Sequence, residues 1–428
     1  MAKTKNKLQG IPIGFDLPQE WAHASLEAIG DFINGYGFNA NQWGDTGDPI
    51  IRIQNLTGTS KFYNYFDGVV DERYRVQSGD LLISWSASLD AFIWIGPNAW
   101  LNQHIFKVAN LVQEVDKDFL FYSLRHQMSR IRENARGSTM KHVTRKTFLA
   151  TRISLPPLAE QQAIAHALRT VQRAKEATEK IIGATRQLKQ SLMHYLFSYG
   201  PVPFYKADSV TINKTEIGNL PDHWRIALLG DESSVGNGST PKRSDTRYWE
   251  GGTIPWLTSA KVHDRTINAA DEFVTEIARK ECHLPLVPKE SLVIAITGQG
   301  KTLGNAASLK IDACVSQHLA YIKFSTSHLL PEYVLAYLRS RYDELQSVSR
   351  SGGSTKGALT CSYLKSLCFP VPPSAEQCRI VEFLSALENK QTVEERKQSA
   401  LDGLFKSLLH GLMTGLIRLP EFAAGSAK

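Results

Sequence analysis

The sequence predicts an α+β protein with two mixed α/β globular domains, here called heads. Two long α-helices separate the heads and pair as an antiparallel coiled coil with pseudo-two-fold symmetry. Three observations predict this fold. A segment that begins Leu155-Pro156-Pro157-Leu158-Ala159-Glu160-Gln161 returns in a near copy that begins Val371-Pro372-Pro373-Ser374-Ala375-Glu376-Gln377. Each copy continues as a long run of apolar residues at helical spacing, and short apolar runs typical of β-strands precede each copy.

The duplication keeps one register on both sides of the two Pro-Pro pairs, which lie 216 residues apart. Downstream of the prolines, Ile164 matches Ile380 in this register. Upstream, Gly137-Ser138-Thr139 matches Gly353-Ser354-Thr355. The repeat is much longer than the roughly 20 to 50 residues of a solenoid unit. The chain is therefore a two-fold tandem protein.

Each copy should form a long helix that begins near Ala159 or Ala375. Prolines suit the start of a helix, and the acid that follows them, Glu160 or Glu376, lies in the first turn, where the helix dipole favours it. About 38 residues follow without an internal proline, which corresponds to roughly 57 Å of helix. Two such helices most simply pair with each other; the alternative is two independent surface helices.

The expected seam between the helices consists of apolar residues at spacings of three and four. Lys175 and Lys189 interrupt this pattern, so the seam should be irregular. The residues expected to pair the helices are Ile164, Leu168, Val171, Ile182, Leu188, Leu192, Ile380, Leu384, Leu387, Leu404 and Leu408.

Length and composition fit a globular protein with several domains. Of 428 residues, 42% are hydrophobic and 21% are charged, which excludes the intrinsically disordered class. The sequence has no apolar run long enough to cross a membrane and no signal-peptide pattern, so we expect a cytoplasmic protein. The expected domains are 1–155, the first head; 156–200, the central helix; 201–371, the second head; and 372–428, the C-terminal helix and tail.

The five cysteines all lie in the second half of the chain, and none forms a CxxC pair. An odd number of cysteines without metal-ligand spacing predicts free thiols, most of them buried. We therefore expect no metal site.

The net charge of +7 and the pI near 9.0 permit a polyanionic partner without requiring one. Residues 119–152 carry eight basic residues and one acid, and the matching residues 335–368 carry five basic residues and two acids. Both heads thus have a basic segment just before the long helix. Such a segment contacts a polyanion or is simply the solvated face of a helix.

Each head should combine β-strands with a final helix. The first head begins at Leu17-Pro18-Gln19-Glu20-Trp21 and the second at Leu220-Pro221-Asp222-His223-Trp224. Short apolar runs bounded by Gly, Pro and Asn predict strands at 49–53, 80–85, 91–95, 105–108, 254–257, 291–296, 306–309 and 319–322. Helical patterns follow at 119–133 and 331–345.

Two patterns in the heads resemble catalytic motifs. The run 297–302, Thr-Gly-Gln-Gly-Lys-Thr, ends like a phosphate-binding loop, but Ala295 stands where the first glycine should be, and a turn follows in place of a helix. The same loop could approach a DNA phosphate through its amides. His104 and His318 each follow a glutamine; they suggest an acid/base pair, or they hold the same turn in both heads. We expect no active site in this chain.

Polar loops in both heads suit contact with nucleic acid. The loop 236–244, followed by Tyr248-Trp249, combines glycines, hydroxyls and cations, and 61–66 is an aromatic cluster in which Phe62 and Tyr65 are residue types more common in cores. Any one of these loops could be merely a turn. The side chains of Arg, Lys, Asn and Gln can bind the edges of bases, whereas hydroxyl groups and backbone N–H groups bind phosphates. The expected DNA-binding residues are Lys61, Tyr63, Arg136, Gly137, Ser138, Thr139, Lys141, Ser239, Thr240, Lys242, Arg243, Tyr248, Gln299, Lys301, Ser354, Thr355 and Lys356.

The order of head, Gly-Ser-Thr loop, Pro-Pro-x-Ala-Glu-Gln and long helix, present twice, resembles the specificity subunit of type I restriction-modification systems. The second head, with Gly238-Ser239-Thr240-Pro241-Lys242-Arg243 and Gly298-Gln299-Gly300, is the more similar to a target recognition domain of that family. The first head has Ser86-Ala87-Ser88 in place of the Gly-Gln-Gly.

The resemblance implies a non-catalytic reader of double-stranded DNA. Each head would recognise half of a bipartite, asymmetric site, the helices would set the spacing, and two methyltransferase subunits would dock on the chain. Restriction subunits would join to translocate and cut the DNA. S-adenosylmethionine, ATP and Mg²⁺ would belong to those partners. Two other readings stay open: a nucleotide-dependent enzyme that uses the loop 298–302, and a dimeric scaffold without affinity for DNA.

Overall fold

A computed structural model describes residues 18–85, 89–135, 145–298, 300–351 and 359–423. The first head contains α1 Leu26–Ile29, α2 Ile53–Leu56, α3 Lys117–Ala135 and α4 Arg145–Leu149, and the long helix α5 Leu158–Tyr199 follows it. The strands of this head are β1 Ala22–Ser25, β2 Asp31–Asn34, β3 Asp48–Ile51, β4 Asn64–Phe66, β5 Arg75–Val76, β6 Leu81–Ser84, β7 Asp90–Ile93, β8 Ala99–Leu101, β9 Ile105–Ala109 and β10 Arg152–Leu155.

The second head has the same plan. Its strands are β11 Ile212–Thr215, β12 Gly218–Pro221, β13 Arg225–Leu228, β14 Ser233–Asn237, β15 Ile254–Leu257, β16 Thr266–Ile267, β17 Glu272–Val274, β18 Leu292–Ala295, β19 Ala306–Leu309, β20 Cys314–Val315, β21 Leu319–Phe324 and β22 Cys368–Val371. Its helices are α6 Leu229–Glu232, α7 Glu276–Glu281, α8 Pro331–Ser340, α9 Tyr342–Ser351 and α10 Cys361–Lys365, and α11 Ser374–Thr414 and α12 Pro420–Ala423 complete the chain order.

The two heads share their sheet topology. In the first head one sheet has the order β2-β9-β6-β7, and in the second head the matching order is β14-β21-β18-β19, with β16 added at the edge. A second sheet pairs β3 antiparallel with β4 and parallel with β8, just as β15 pairs with β17 and β20. The last strand of each head also pairs with an early strand, as β10 with β1 in the first head and β22 with β13 in the second. The expectation of two related mixed heads is confirmed.

The strands expected from short apolar runs are present because those runs form the cores of the sheets. All four residues of β6 and of β18 are buried. The helix expected at 119–133 is α3. The helix expected over 331–345 is instead two helices, α8 and α9, because the backbone of Arg341 leaves the helical conformation.

The two long helices begin within one residue of the expected positions. Helix α5 has 42 residues and α11 has 41, and each has a glutamate in its first turn. By internal contacts the described chain divides into two units: the first unit is residues 1–179 with 396–428, and the second unit is residues 180–395. Each unit therefore contains one head and one part of each long helix.

Within each unit the parts of α5 and α11 pair with opposite directions. In the first unit Ile164 and Leu168 share a buried cluster with Leu412, and Lys175 pairs with Asp402 at 2.7 Å. In the second unit the apolar contacts lie at the end of α5, where residues 192–197 of α5 join 380–384 of α11 in one cluster. In both units, residue numbers rise along α5 as they fall along its partner. The expected antiparallel pairing is confirmed.

Two residues expected in the seam lie outside it. Leu188 is 54% exposed and Leu404 is 46% exposed, so both predictions were wrong. Phe405, the next residue after Leu404, is buried in its place, and Lys189, the next after Leu188, turns inward to pair with Glu388. Because an α-helix has 3.6 residues per turn, a regular pattern of threes and fours drifts around the helix surface, and here the inward-facing position has shifted by one residue in each helix. Of the other expected seam residues, Ile164, Leu168, Ile182, Ile380 and Leu384 are buried, and Val171, Leu192, Leu387 and Leu408 are half-buried.

The Glu of the duplicated motif joins each head to its helix. In the first unit the indole N–H of Trp21 donates to Glu160 at 3.1 Å, and in the second unit the indole N–H of Trp224 donates to Glu376 at 2.8 Å. Each tryptophan lies at the start of its head. Since a hydrogen bond to a charged group is worth more than one between neutral groups, this contact fixes where the head meets the helix.

The Gln of the motif makes a second joint of the same kind. The amide of Gln161 accepts from the backbone N–H of Asp116 at 2.9 Å and donates to the carbonyl oxygens of Glu114 and Pro156. Gln377 makes the same three contacts, with Leu330, His328 and Pro372. The segment before α3 or α8 is thereby tied to the long helix, which explains why both copies of the motif carry Glu-Gln.

Shortening Ile164 should measure the packing of the helix pair in the first unit. Ile164 is 1% exposed, so Ile164→Val should lower the free energy of unfolding by about 1 kcal/mol. Ile181, in the same helix, is 37% exposed, and Ile181→Val should change the free energy by less than about 0.5 kcal/mol. Urea denaturation of both variants checks this, and equal effects would contradict the assignment of the buried stripe.

All five cysteines are free thiols, as expected, but only Cys314 is buried; Cys378 is exposed and the other three are half-buried. The expectation that most are buried was wrong, because three of them lie at the ends of short helices or strands. Burial raises the pKa of the Cys314 thiol to about 11. Among the described residues the structure shows neither a helix able to cross a membrane nor a group of side chains able to hold a metal ion.

Candidate nucleic-acid interface

The polar loop of the second head follows β14 and is held tightly on the sheets. A side chain at Gly238 would begin 1.7 Å from the carbonyl oxygen of Val315, so only glycine fits there. The hydroxyl of Ser239 donates to the carbonyl oxygen of Cys282 at 3.0 Å, and the indole of Trp256 donates to the carbonyl oxygen of Ser239 at 3.2 Å. Ser239 is therefore a support of the loop, and its hydroxyl is already engaged.

Arg243 lies over two tryptophan rings. Its guanidinium is 4.0 Å from the ring centroid of Trp249 and 5.0 Å from that of Trp256, and it pairs with the carboxylate of Glu272. Its side chain is still 54% exposed. A cation over an aromatic face gains about 0.5 to 1 kcal/mol at an exposed site. The guanidinium is thus held in one place with donors open to solvent, next to the exposed Lys242.

Tyr248 takes part in a charged cluster that sequence reasoning missed. Its hydroxyl donates to Glu281 at 2.8 Å, which raises the pKa of Tyr248 to about 12. Arg247 pairs with Asp245 at 2.8 Å and lies 3.7 Å from Glu281. Tyr248 is consequently a neutral donor near pH 7. The Asp-x-Arg spacing was a usable signal, because Asp245 caps the turn through the backbone N–H of Arg247.

The loop that resembles a phosphate-binding loop leads into β19, not into a helix. Its carbonyl oxygens face its own head: that of Lys301 accepts from Tyr342 at 2.9 Å, and that of Gly300 accepts from Gln346 at 2.7 Å. A nucleotide-binding loop needs the N-terminus of a helix to receive the phosphates. The arrangement therefore does not favour the nucleotide-dependent enzyme. The side chain of Lys301 is exposed and open to another anion.

In the first head the aromatic cluster is split between core and surface. Tyr63 is half-buried and packs edge-on against Trp94, with 6.5 Å between ring centroids, whereas Lys61 is exposed. Phe62 is 87% exposed, so the expectation that it belongs to the core was wrong. The next residue, Tyr63, is half-buried, and the alternation of side chains along an extended segment turns Phe62 out. Tyr65 is half-buried.

The remaining expected DNA-binding residues lie outside the described residues, and their role stays a prediction. They are Arg136, Gly137, Ser138, Thr139, Lys141, Gln299, Ser354, Thr355 and Lys356.

The two Gln-His pairs lie in turns at the same place in both heads, although His104 has a positive φ and His318 does not. The backbone N–H of Trp85 donates to the carbonyl oxygen of His104 at 3.3 Å, and that of Ile296 donates to the carbonyl oxygen of His318 at 3.0 Å. Each histidine directly precedes its strand, β9 or β21. The side chains of the pairs are exposed in both heads, which the sequence did not indicate. Thr240 donates to the amide oxygen of the second glutamine, Gln317.

Comparison with known proteins agrees with this architecture. The chain is 25% identical over 399 residues to the type I restriction enzyme EcoBI specificity subunit of Escherichia coli, covering 89% of this chain and 82% of that protein. It is 23% identical over 428 residues to the MjaVIII specificity subunit of Methanocaldococcus jannaschii, covering 95% of each chain. The crystal structure of the S subunit of a type I system from M. genitalium shares the fold with a TM-score of 0.61 at 18% identity, covering 93% of this chain and 98% of that one.

The match to a family of sequences is more decisive, because it covers both heads and parts of both long helices. A sequence model of the type I restriction modification DNA specificity domain matches residues 18–185 and again residues 221–402. These two matches cover most of the chain and repeat the internal duplication. The chain therefore belongs to the family of type I restriction modification DNA specificity domains.

Proposed function

We propose that this chain is the DNA-reading subunit of a type I restriction-modification assembly. Each head binds one half of a bipartite, asymmetric DNA site, and the paired helices set the spacer between the halves. One observation carries the proposal: the joint of head and helix is the same in both units, whereas the exposed loops differ. Trp21 with Glu160 repeats as Trp224 with Glu376. The arginine stacked on Trp249 of the second head is Arg243, after β14, whereas the arginine stacked on Trp43 of the first head is Arg52, after β3.

Two different heads joined by the paired helices make the protein selective, because the free-energy costs of mismatches in the two half-sites add. A mismatched base pair costs about 1 to 3 kcal/mol, and the costs add for separated positions. Two short sites read together are therefore discriminated far better than either one alone. The exposed cations of the loops, Lys61, Lys242, Arg243 and Lys301, supply contacts to phosphates and base edges.

The chemistry belongs to partners in this proposal. Two methyltransferase subunits dock on the chain and use S-adenosylmethionine, and restriction subunits that use ATP and Mg²⁺ translocate and cut the DNA. The chain itself positions these enzymes and is not a catalyst. The duplicated long helices support this division, because each unit offers one part of the helix pair as an equivalent docking surface.

Methylation-sensitive sequencing tests the proposal. DNA from a host that produces this chain with its methyltransferase partner should carry methylated bases at one bipartite sequence. Arg243→Ala should relax or change the second half of that sequence and leave the first half intact, since Arg243 lies in the second head. Asn268→Ala, at an exposed amide of the same head, serves as the control. Methylation at a continuous, symmetric site would contradict two independent heads.

Lengthening both helices should lengthen the spacer of the methylated site. Seven residues inserted after Glu179 in α5 and seven after Glu395 in α11 add about 10 Å of helix. Bases along one strand are about 3.4 Å apart, so the spacer should grow by about three base pairs. The same sequencing measures the change, and an unchanged spacer would show that the helices do not determine it.

A further inference from the structure

Three loops of the second head meet at the Gln-His pair. The hydroxyl of Thr240, after β14, donates to Oε1 of Gln317, and Nε2 of Gln317 donates to Nε2 of His318 at 3.2 Å. Nδ1 of His318 is hydrogen-bonded to the hydroxyl of Thr297, after β18. The backbone holds this turn without help from these side chains, through the carbonyl oxygen of His318. These side-chain hydrogen bonds are therefore not needed to hold the turn.

The direction of these hydrogen bonds leaves two hydrogens, on Thr297 and Gln317, free to donate toward solvent. An amide nitrogen only donates, so Nε2 of His318 accepts, and in the neutral ring Nδ1 carries the hydrogen and donates to Thr297. The hydroxyl of Thr297 keeps its own hydrogen, and within the described residues the structure shows no other acceptor for it. Gln317 keeps a second N–H. The exposed surface of the cluster is therefore suited to a ligand that only accepts hydrogen bonds.

The same pair stands at the same place in the first head. Gln103 and His104 are exposed and precede β9 as Gln317 and His318 precede β21. Gln103 also lies beside the loop after the first strand of its sheet, with Oε1 only 3.2 Å from where a side chain on Gly37 would begin. The backbone of His104 has a φ of 71°, a region that is costly for residues other than glycine and that persists where the surrounding structure requires it.

The two heads differ in most of their loops but share the Gln-His pair, which indicates that the pair contacts a part of DNA that does not depend on base sequence. The two heads differ in the loops that should read bases, so a shared contact is best directed at what all duplex DNA offers. Phosphate oxygens accept hydrogen bonds and do not donate, and they receive contacts from Gln and Thr side chains that set the register of a protein on DNA. The outward donors of the cluster match this chemistry.

We propose that Gln103-His104 and Gln317-His318 each bind a phosphate of the DNA backbone and register their head on the duplex without reading bases. This inference rests on the proposed function of the chain. In the second head the outward hydrogens belong to Gln317 and Thr297, so these two donate to the phosphate, and Thr240 and His318 are positioning residues that orient them.

Binding of the full-length chain to fluorescent duplexes tests this inference. One duplex has random sequence, and the other carries the site identified by methylation sequencing. Gln103→Ala and Gln317→Ala should each weaken binding to both duplexes by the same factor, about 10-fold. His318→Phe, which keeps a ring at that position, should have the same effect as Gln317→Ala. Asn268→Ala, at another exposed amide of the second head, should leave binding unchanged.

The possible outcomes are distinguishable. Weaker binding to the site-bearing duplex alone would show that the glutamines contact bases and would overturn the inference. Unchanged binding to both duplexes would also overturn it, because the pairs would then only form turns. Thermal unfolding should be the same for wild type and variants, because the turn depends on backbone contacts; His318→Phe retains a test if Gln317→Ala unfolds. A wild-type chain that binds neither duplex would overturn the proposed function as well.

Discussion

Replacing Glu160 with glutamine should destabilise the first unit by about 3 to 5 kcal/mol, because it removes the negative charge from a buried ion pair. The carboxylate of Glu160 is 1% exposed, and Arg418, 11% exposed, binds both of its oxygens at 2.9 Å. Trp21 donates to the same carboxylate. A glutamine at this position keeps one acceptor and places an N–H against donors, so both contacts weaken together.

Urea denaturation and hydrogen exchange of the full-length chain measure this effect. Exchange should rise in α3 and in the parts of α5 and α11 that belong to the first unit. Glu20→Gln is the matched control, since Glu20 pairs with the same Arg418 at 3.3 Å but is 42% exposed; an exposed pair is worth at most about 1 kcal/mol. Equal losses for the two variants would show that burial of Glu160 is not what makes this contact stabilising.

The second large effect concerns Glu388 of α11, and we expect Glu388→Gln to cost about 3 kcal/mol in the second unit. Glu388 pairs with Lys189 of α5 and lies 3.7 Å from Arg339 of α8, whose side chains are 17% and 16% exposed. Removing the carboxylate takes away the negative charge that these two mostly buried cations share. Replacing the pair as a whole, with Lys189→Met and Glu388→Leu, should recover much of the loss.

The dependence of this loss on pH has a definite sign. Burial raises the pKa of Glu388, but the hydrogen bond from Lys189 and the charges of Lys189 and Arg339 outweigh burial, so the pKa lies below its usual range. A carboxyl whose pKa is lowered by folding stabilises the protein above the unfolded pKa of about 4.3. That contribution disappears as the pH falls through the lower, folded-state value.

Stability measured from pH 7 to pH 3 should therefore show a smaller difference between wild type and Glu388→Gln at the acid end. Glu395→Gln is the control in the same helix, because Glu395 is 40% exposed and its partner Arg186 is 61% exposed. It should cost less than about 1 kcal/mol. A difference between Glu388→Gln and wild type that stays constant over this pH range would contradict the assigned ion pair.

Much of the fold could be predicted from the sequence because its signals are local or repeated. Helical periodicity and the Pro-Pro pairs set the starts of α5 and α11 within one residue, and short apolar runs located the central strands of both heads. The seam was predicted less well. A pattern of apolar residues spaced three and four apart does not distinguish Leu404 from Phe405, because either residue continues the pattern. Only the position of the partner helix decides which of the two is buried.

The candidate site was predicted in part. Residue types identified the loop of the second head, but not that Arg243 stacks on Trp249 or that Tyr248 donates to Glu281. The Gln-His pairs were correctly interpreted as turns, yet their exposed side chains and their link to Thr297 were not foreseen. Tyr248 and Glu281 are 33 residues apart and Thr297 and His318 are 21 residues apart, and no local pattern specifies that these side chains will meet.

The sequence by itself determined the duplication, the two long helices and the two mixed heads, since each of these follows from a period or a repeated motif. Only the tertiary structure decided what the Glu-Gln of the motif does. Glu160 meets Trp21 across 139 residues of chain, and Glu376 meets Trp224 across 152. Such partners are chosen by packing, which brings together residues whose separation along the chain carries no information about their contact.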